Sequence, residues 1–584
     1  MRLTMGSAVS GRIDRIREEF SQLSILSRHF LVRLMESEGV SFPQAGRQQI
    51  ISVLALLAVL GCAFACVLLY KNPAGPGIGT LWPQECAYLT FLMMMTAFVV
   101  VLGWESMLLD RQDYQVLYPL PLRPRTIFLA KTFSLMIMVG AFFLSLDLLP
   151  SLFFAVGLQR ISHFGLLGIL KFWMIYLGTG LLASGFAFLI FLVIHMILST
   201  ILPKTIYRFL NLYIQVFFLA VFILFIIYFA SAFVSMPEIP ESLKSAAARG
   251  EPFAAYFPPL GYAAVAELMT GNKDPLMGRL ALRALSGMAG IVILYLTGAA
   301  VLMRQQETQG EPRRLFQRLV KPMEKRYGLF KKVFLRSQVQ HAIFDFTVKT
   351  LVRSSPHKLI VAAYASVPLA VALGIALFSG YQNHYEDFNL PEKALLLLPH
   401  LFGLFVLLGI KASTDLPLNI NANWVFGITE SGRLQDYAIG FKKAILVAVY
   451  LPLIVILAVV LKLSWNWVDT LFYCLYCALV FFVLLGILLF SYRKVPFASA
   501  LTHKGAGEVF LRLLYAGLGG LYVYAATALG AKLLRNRDGL LPWLSVGVLA
   551  LAAIGIRLVR FSGDRGRGGI QLDGQDSSGL DLGG

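Results

Sequence analysis

Long apolar segments alternate with short polar segments along most of this chain. An apolar run of about 18 residues or more is long enough to cross a bilayer as a helix, and most of these runs reach that length. The pattern predicts an all-α polytopic membrane protein with about twelve transmembrane helices. The predicted spans are residues 50–70, 86–109, 127–156, 172–202, 207–234, 281–303, 359–380, 394–412, 444–461, 468–492, 509–529 and 540–558.

The polar segments divide the chain into five predicted regions. Residues 1–49 carry apolar side chains at helical spacing between arginines, which predicts an amphipathic helix on the cytoplasmic membrane surface. Two six-helix membrane halves follow, at 50–303 and 359–560, separated by a basic cytoplasmic connector at 304–358 that contains a second amphipathic helix. The Gly-, Asp- and Ser-rich residues 561–584 are typical of a disordered cytoplasmic tail.

Charge sets the expected orientation. The net charge is +19, and 58% of the residues are hydrophobic. With the N-terminus in the cytoplasm, roughly three quarters of the Lys and Arg residues fall in cytoplasmic segments, as the positive-inside rule requires. Topology and lipid contact therefore account for the charge, and a nucleic-acid partner is not expected. The five cysteines lie in or beside apolar runs and form no disulfide or zinc-binding pattern.

The segment between the second and third predicted spans, residues 110–131 (DRQDYQVLYPLPLRPRTIFLAK), is more structured than a simple connection needs to be. Proline fixes its own φ and disfavours helix at the residue before it, so the Leu-Pro-Leu turn is stiff. The residues that define the segment are the acidic start (Asp110, Arg111, Asp113), the turn (Leu120, Pro121, Leu122) and the basic restart (Arg123, Arg125).

The layout repeats in the second half. Each half begins with an amphipathic helix and two spans, continues with a cytoplasmic Leu-Pro-Leu loop (120–122 and 416–418), and adds four more spans. Because six is even, the two halves are expected to have the same orientation.

The sequence LYPLPLRPRTIFLAK, together with YFPPLGY before the sixth span, resembles the membrane subunit of bacterial ABC exporters of the type-2 permease class. NANWVFGITES (421–431) and RKVPFASAL (493–501) are more loosely similar to duplicated permeases of this kind. The resemblance implies an exporter in the bacterial cytoplasmic membrane, with both termini cytoplasmic. It also implies that cytoplasmic ABC ATPase subunits contact the 110–125 loop, and by analogy a second loop. The residues of that second loop are Leu416, Pro417, Asn423, Trp424 and Glu430. One chain, or a homodimer of chains, would pair with two ATPase domains.

The chain contains no ATP-binding motif of its own. A Walker A loop needs the pattern G-x-x-x-x-G-K-[ST], and no glycine directly precedes a lysine. The chain is therefore not expected to be an enzyme or to hold a cofactor, and ATP would bind to the partner subunit.

Two other classes of protein stay open. An ion-coupled secondary transporter needs ionisable groups inside the membrane, and Asp147 and His195 are the candidates for such a polar site, with Pro150 expected to loosen the helix after Asp147. A membrane-embedded enzyme would need a polar cluster such as His384, Glu386 and Asp387, although a solvated polar loop is the favoured explanation of that cluster.

Overall fold

The computed structural model is helical throughout the regular structure that it describes. Nine of the described helices are long and apolar enough to cross a bilayer. The protein is therefore an all-α multi-pass membrane protein. The described residues are 21–33, 47–71, 81–107, 116–117, 119–120, 122–162, 165–235, 238–306, 334–382, 392–414, 416, 434–489, 496–497, 507–536 and 547.

The chain forms two compact units, Met1–Pro312 and Arg313–Gly584. The described helices of the first unit are α1 (21–33), α2 (Arg47–Lys71), α3 (Trp82–Leu102), α4 (Trp104–Met107), α5 (Pro124–Ser162), α6 (Leu166–Ile201), α7 (Lys204–Ser235), α8 (Glu238–Ala248), α9 (Pro252–Ala255), α10 (Pro258–Thr270) and α11 (Pro275–Gln306).

The second unit begins with an amphipathic helix and continues with apolar helices. Its described helices are α12 (Gln338–Arg353), α13 (Ser355–Gln382), α14 (Glu392–Thr414), α15 (Leu434–Ile445), α16 (Leu451–Lys462), α17 (Trp467–Leu488) and α18 (Gly507–Arg535), with a π-helical turn (Leu446–Tyr450) between α15 and α16.

The predicted spans agree with the helices where both can be compared. Every predicted span except the twelfth falls on a described helix. Two of these helices, α2 and α7, carry shorter apolar stretches, Leu54–Tyr70 and Leu210–Ile226. The twelfth span, 540–558, lies outside the described residues except for residue 547. The count of twelve and the division into two six-helix halves remain predictions.

Local sequence explains where several helices begin and end. α10 starts at Pro258, where the missing N–H would have had no partner in any case, and it ends at Gly271, whose φ of +108° is the left-handed conformation that glycine adopts readily. α6 ends at Ile201, and Leu202, the residue before Pro203, has an extended backbone. In the second unit, the Ser337 side chain caps α12 by accepting a hydrogen bond from the Gln340 N–H.

The short helix α10 packs within the first unit. The apolar segment 256–271 is too short to span a bilayer, and its composition predicts that it dips into the membrane interface. In the structure α10 is buried against α3, α6 and α11, and its position relative to the membrane stays a prediction. Gly261 allows this close approach, because a Cβ there would lie 2.8 Å from the Ala284 Cβ on α11.

The helix α5 also differs from expectation, because it continues through Pro150 to Ser162. A proline within a helix leaves the carbonyl four residues earlier without its usual N–H donor. Here that carbonyl belongs to Leu146, and the Tyr88 hydroxyl on α3 donates a 2.8 Å hydrogen bond to it. A neighbouring helix thus supplies the missing donor, so Pro150 does not interrupt α5.

In the second unit the amphipathic helix α12 packs on α15. Phe344 and Val348 of α12 are buried with Ala444 at the C-terminal end of α15. The Gln340 amide donates a 2.6 Å hydrogen bond to Asp436, and both groups come from this helix pair. The apolar face of α12 therefore meets protein.

Candidate functional site

The first Leu-Pro-Leu segment forms a tight turn directly before α5. The Leu122 N–H donates a 2.7 Å hydrogen bond to the Leu120 carbonyl, and the Leu120 N–H donates to the Leu117 carbonyl at 3.2 Å. The Leu120 side chain is 47% exposed. The turn therefore holds an apolar side chain at the surface. Asp110, Arg111, Asp113 and Pro121 lie outside the described residues.

The basic residues of the segment mark the beginning of α5. The Arg123 carbonyl accepts hydrogen bonds from the Thr126 and Ile127 N–H groups, at 2.9 and 3.3 Å. Pro124 occupies the first helical position, where its fixed φ suits the helix. Arg123 and Arg125 are both exposed. The long helix α5 thus starts at the turn itself, and a displacement of the turn would act on the end of the helix.

The amphipathic helix α1 packs against this segment. Leu26 and Phe30 of α1 form a buried cluster with Leu117 and with Ile127 of α5. The Lys131 ammonium lies over the Phe30 ring, 5.1 Å from its centroid. The apolar face of α1 therefore contacts protein and braces the turn from one side.

Behind the turn, a buried polar network joins the end of α3 to α6 and α7. The Trp104 indole N–H donates a 2.8 Å hydrogen bond to the Asn211 side chain, and the Gln215 amide donates to the Val101 carbonyl at 2.7 Å. His195 hydrogen-bonds the Tyr207 hydroxyl, and its ring centroid lies 4.6 Å from that of Trp104. His195 therefore acts as a packed, hydrogen-bonded residue at the same end of the unit as the turn.

The second Leu-Pro-Leu segment is described only at its first residue. Leu416 is buried, and its carbonyl lies 3.0 Å from His357 Nε2 on α13. The His357 Nδ1 lies 2.6 Å from the Ser354 hydroxyl, which fixes the ring. His357 thus anchors the start of this loop. Pro417, Asn423, Trp424 and Glu430 lie outside the described residues.

Asp147 lies in the second half of α5, 15 residues before its end at Ser162, and is 1% exposed. At about 1.5 Å per residue it is roughly 34 Å from Pro124, which is close to the full thickness of a bilayer core of about 30 Å. Its carboxylate packs against Gly180 of α6 so closely that a Cβ at this glycine would lie 2.7 Å from the Asp147 Cγ. His195 is a further roughly 22 Å along α6 from Gly180, so the two candidate polar residues do not form one site.

Two further buried acids accompany Asp147. Glu85, in the first turn of α3, and Glu267, near the end of α10, are each 2% exposed. Both Asp147 and Glu267 interact electrostatically with Glu85. Three helices thus bring three carboxylates together at one end of the first unit. We call Glu85, Asp147 and Glu267 the acidic cluster.

The acidic cluster is connected to the surface through Glu267. The Asn272 amide donates a 2.9 Å hydrogen bond to the Glu267 carboxylate, while burial raises the pKa of Glu267. Two residues further on, Asp274 forms a 3.0 Å ion pair with Lys244, and both side chains are about one third exposed or less. This ion pair lowers the pKa of Asp274.

Sequence reasoning alone did not single out Glu85, Glu267 or His357. Glu85 stands at the edge of an apolar run, where acids are common, and Glu267 lies in a segment that was expected at the interface. The predicted topology could have indicated that these acids lie close together. With alternating spans, Glu85, Asp147 and Glu267 all fall on the same side of the membrane. No group of three or more His, Cys, Asp or Glu side chains among the described residues could hold a metal ion.

Comparison with family models, curated proteins and solved structures gave no match. Proposals about function therefore have to come from the residues and geometry of this chain.

Proposed function

We propose that this chain is the membrane permease of an ABC-type exporter and that separate cytoplasmic ATPase subunits dock on it. The observation that carries the proposal is the braced turn before α5. It exposes Leu120, Arg123 and Arg125 and is backed by the packed helix α1. An exposed apolar side chain beside two arginines suits a partner surface with an apolar pocket and acidic groups.

Mechanical coupling follows from the way the turn joins α5. The partner would push on Leu120, and the hydrogen bonds at Arg123 would transmit the displacement to α5. The buried hydrogen bonds from Trp104 to Asn211 and from Gln215 to the Val101 carbonyl would carry it to α7, because Val101 and Trp104 lie just before the loop in sequence and Asn211 and Gln215 lie on α7. Movement of the helices would then alternate access to a path for the exported substrate.

The second unit supplies a related arrangement. Its amphipathic helix α12 packs on α15, as α1 packs on the start of α5. His357 holds the beginning of the second Leu-Pro-Leu loop. We infer that each unit carries one docking element, so that a single chain would engage two ATPase domains in the bacterial cytoplasmic membrane.

Site-specific cross-linking tests the docking proposal. In a cysteine-free background, Leu120→Cys is expected to cross-link in native membranes to a protein whose peptides contain a nucleotide-binding motif, because Leu120 is exposed at the proposed contact. Leu149→Cys is the matched control, since Leu149 is also 47% exposed but lies within the candidate membrane span of α5, far along the helix from the turn. Equal labelling from both positions, or an adduct without an ATPase, would count against docking at this turn.

The second candidate is an ion-coupled secondary transporter, and the burial of Asp147 favours it. One carboxylate oxygen of Asp147 has no hydrogen-bond partner within the described structure. A buried ionisable group of this kind is usually kept for function. This candidate predicts transport that follows an ion gradient, fails in Asp147→Asn and needs no ATPase.

A further inference from the structure

Glu85 is a buried carboxylate whose two oxygens have no hydrogen-bond partner among the described residues. Buried charges in proteins are normally paired or bound to a cation, because an unpaired charge in a low-dielectric interior is very costly. The position of Glu85 in the first turn of α3 provides some compensation through the helix dipole. That dipole does not replace a counter-ion.

The charged groups that act on Glu85 raise the free-energy cost of a negative charge there. Asp147 on α5 and Glu267 on α10 both repel a negative charge on Glu85. The other titratable neighbours are Cys86, which follows it on α3, and Tyr176 on α6. Neither of these groups carries a positive charge, so they offer no compensation.

Lys244, the cation that acts on Glu267, is already engaged. Lys244 on α8 pairs with Asp274 at 3.0 Å and lies over the Trp82 ring, 5.3 Å from its centroid. It acts on Glu267, but it is not among the groups that act on Glu85. The acidic cluster therefore has more negative groups than the surrounding described residues can balance.

A second buried polar group of the first unit lies on α6. The Ser184 hydroxyl is fully buried and has no hydrogen-bond partner within the described part of the chain. Ser184 is one helical turn from Gly180, so it lies on the helix face that meets Asp147. The Asp147 Oδ2 atom also has no hydrogen-bond partner there. Three helices of the first unit, α3, α5 and α6, thus each carry a buried polar group with an atom that has no hydrogen-bond partner among the described residues.

We propose that Glu85 is the proton-binding residue of the acidic cluster and exchanges its proton with water through Glu267. A proton from water binds one carboxylate oxygen of Glu85 to give the neutral acid, and release returns it to water by the same route. No oxidation or reduction is involved. A proton fits the site better than a larger cation, because no group of three or more His, Cys, Asp or Glu side chains among the described residues could hold a metal ion.

The route to water follows the polar residues already described. Glu267 is bonded to Asn272, and the partly exposed pair of Lys244 and Asp274 lies beyond it. With the N-terminus in the cytoplasm, as proposed, this end faces the outside. Proton binding would remove repulsion between α3, α5 and α10 and would favour their close packing. The site would then respond to external pH whatever energy source drives transport.

Infrared spectroscopy of the purified full-length protein in detergent tests the proposal directly. The carbonyl stretch of a protonated carboxylic acid is resolved from that of a carboxylate. At neutral pH the wild-type protein is expected to show this band, and Glu85→Gln is expected to lose a resolved component of it. Asp274→Asn is the matched control, because it removes a partly exposed, paired carboxylate at the same end of the unit.

A second variant measures the repulsion. Glu267→Gln removes one negative neighbour of Glu85. The carboxylic-acid band of Glu85 is therefore expected to disappear on titration at a pH about one unit lower than in the wild type, which corresponds to a roughly tenfold weaker proton affinity. Absence of the band at neutral pH, or its full retention in Glu85→Gln, would overturn the proposal. Bleaching by sodium but not by N-methylglucamine would instead assign a metal cation. Should Glu85→Gln aggregate on gel filtration, an unchanged midpoint in Glu267→Gln would overturn the proposal.

Discussion

Replacement of Gly61 by alanine is expected to lower the free energy of unfolding by about 2–3 kcal/mol. Gly61 lies at a close contact between α2 and α5. A Cβ there would overlap the Leu146 carbonyl oxygen and would lie 3.2 Å from the Pro150 Cγ. The carbonyl is main chain in the middle of a long helix, so it cannot rotate away. Displacing it would also strain the hydrogen bond from Tyr88 that compensates for Pro150.

Gly140→Ala provides the control in the same helix pair. Gly140 lies inside α5, and a Cβ there would meet nothing within 4 Å. Alanine is favoured over glycine in a helix interior by roughly 0.5–1 kcal/mol, so this variant should be as stable as the wild type or slightly more stable. The midpoint of unfolding in a titration with a denaturing detergent measures the stability of both variants, Gly61→Ala and Gly140→Ala. Similar midpoints for the two variants would contradict the close contact of α2 with α5.

Phe30→Ala is expected to release most of the ATPase from the permease while leaving the membrane helices folded. Phe30 is fully buried between α1 and the start of α5. Removing a buried phenylalanine side chain costs about 3 kcal/mol or more. If the whole loss falls on the packing of α1 against α5, the equilibrium between packed and released α1 shifts by more than a hundredfold. The turn at Leu120 would then lose its brace, and the partner would lose a rigid surface to bind.

Ile25→Ala is the control for that experiment. Ile25 lies on the same helix but is 68% exposed, so its truncation removes no packing within the unit. The amount of ATPase retained per permease after purification should fall for Phe30→Ala and stay near the wild-type value for Ile25→Ala. Equal retention would show that the α1 brace has no part in docking.

Much of the fold could be predicted because apolar runs of sufficient length have few alternatives to a membrane helix. The amphipathic pattern of residues 1–49 also predicts an apolar face. That pattern does not say whether the face meets lipid or protein. In the structure, Leu26 and Phe30 meet the start of α5, and this depends on residues about 100 positions away in sequence.

Other features depend on tertiary packing that no local pattern contains. A proline in an apolar helix predicts a loosened helix, and α5 continues through Pro150 while Tyr88 on another helix supplies a donor to the Leu146 carbonyl. The segment containing α10 looks interfacial by length and composition, and it is buried because Gly261 lets it approach α11. For the same reason, Glu267 became part of the candidate site only once α10 was placed beside α3.

The most direct test of the central claim is purification of the wild-type protein from its native membrane in a mild detergent. The account predicts that a subunit with ATPase activity comes with it, and that Pro121→Gly combined with Arg123→Glu releases that subunit. A folded, transport-competent protein that purifies without any ATPase would contradict the permease proposal. The acidic residue Asp147 and an ion gradient would then be the next subjects to examine.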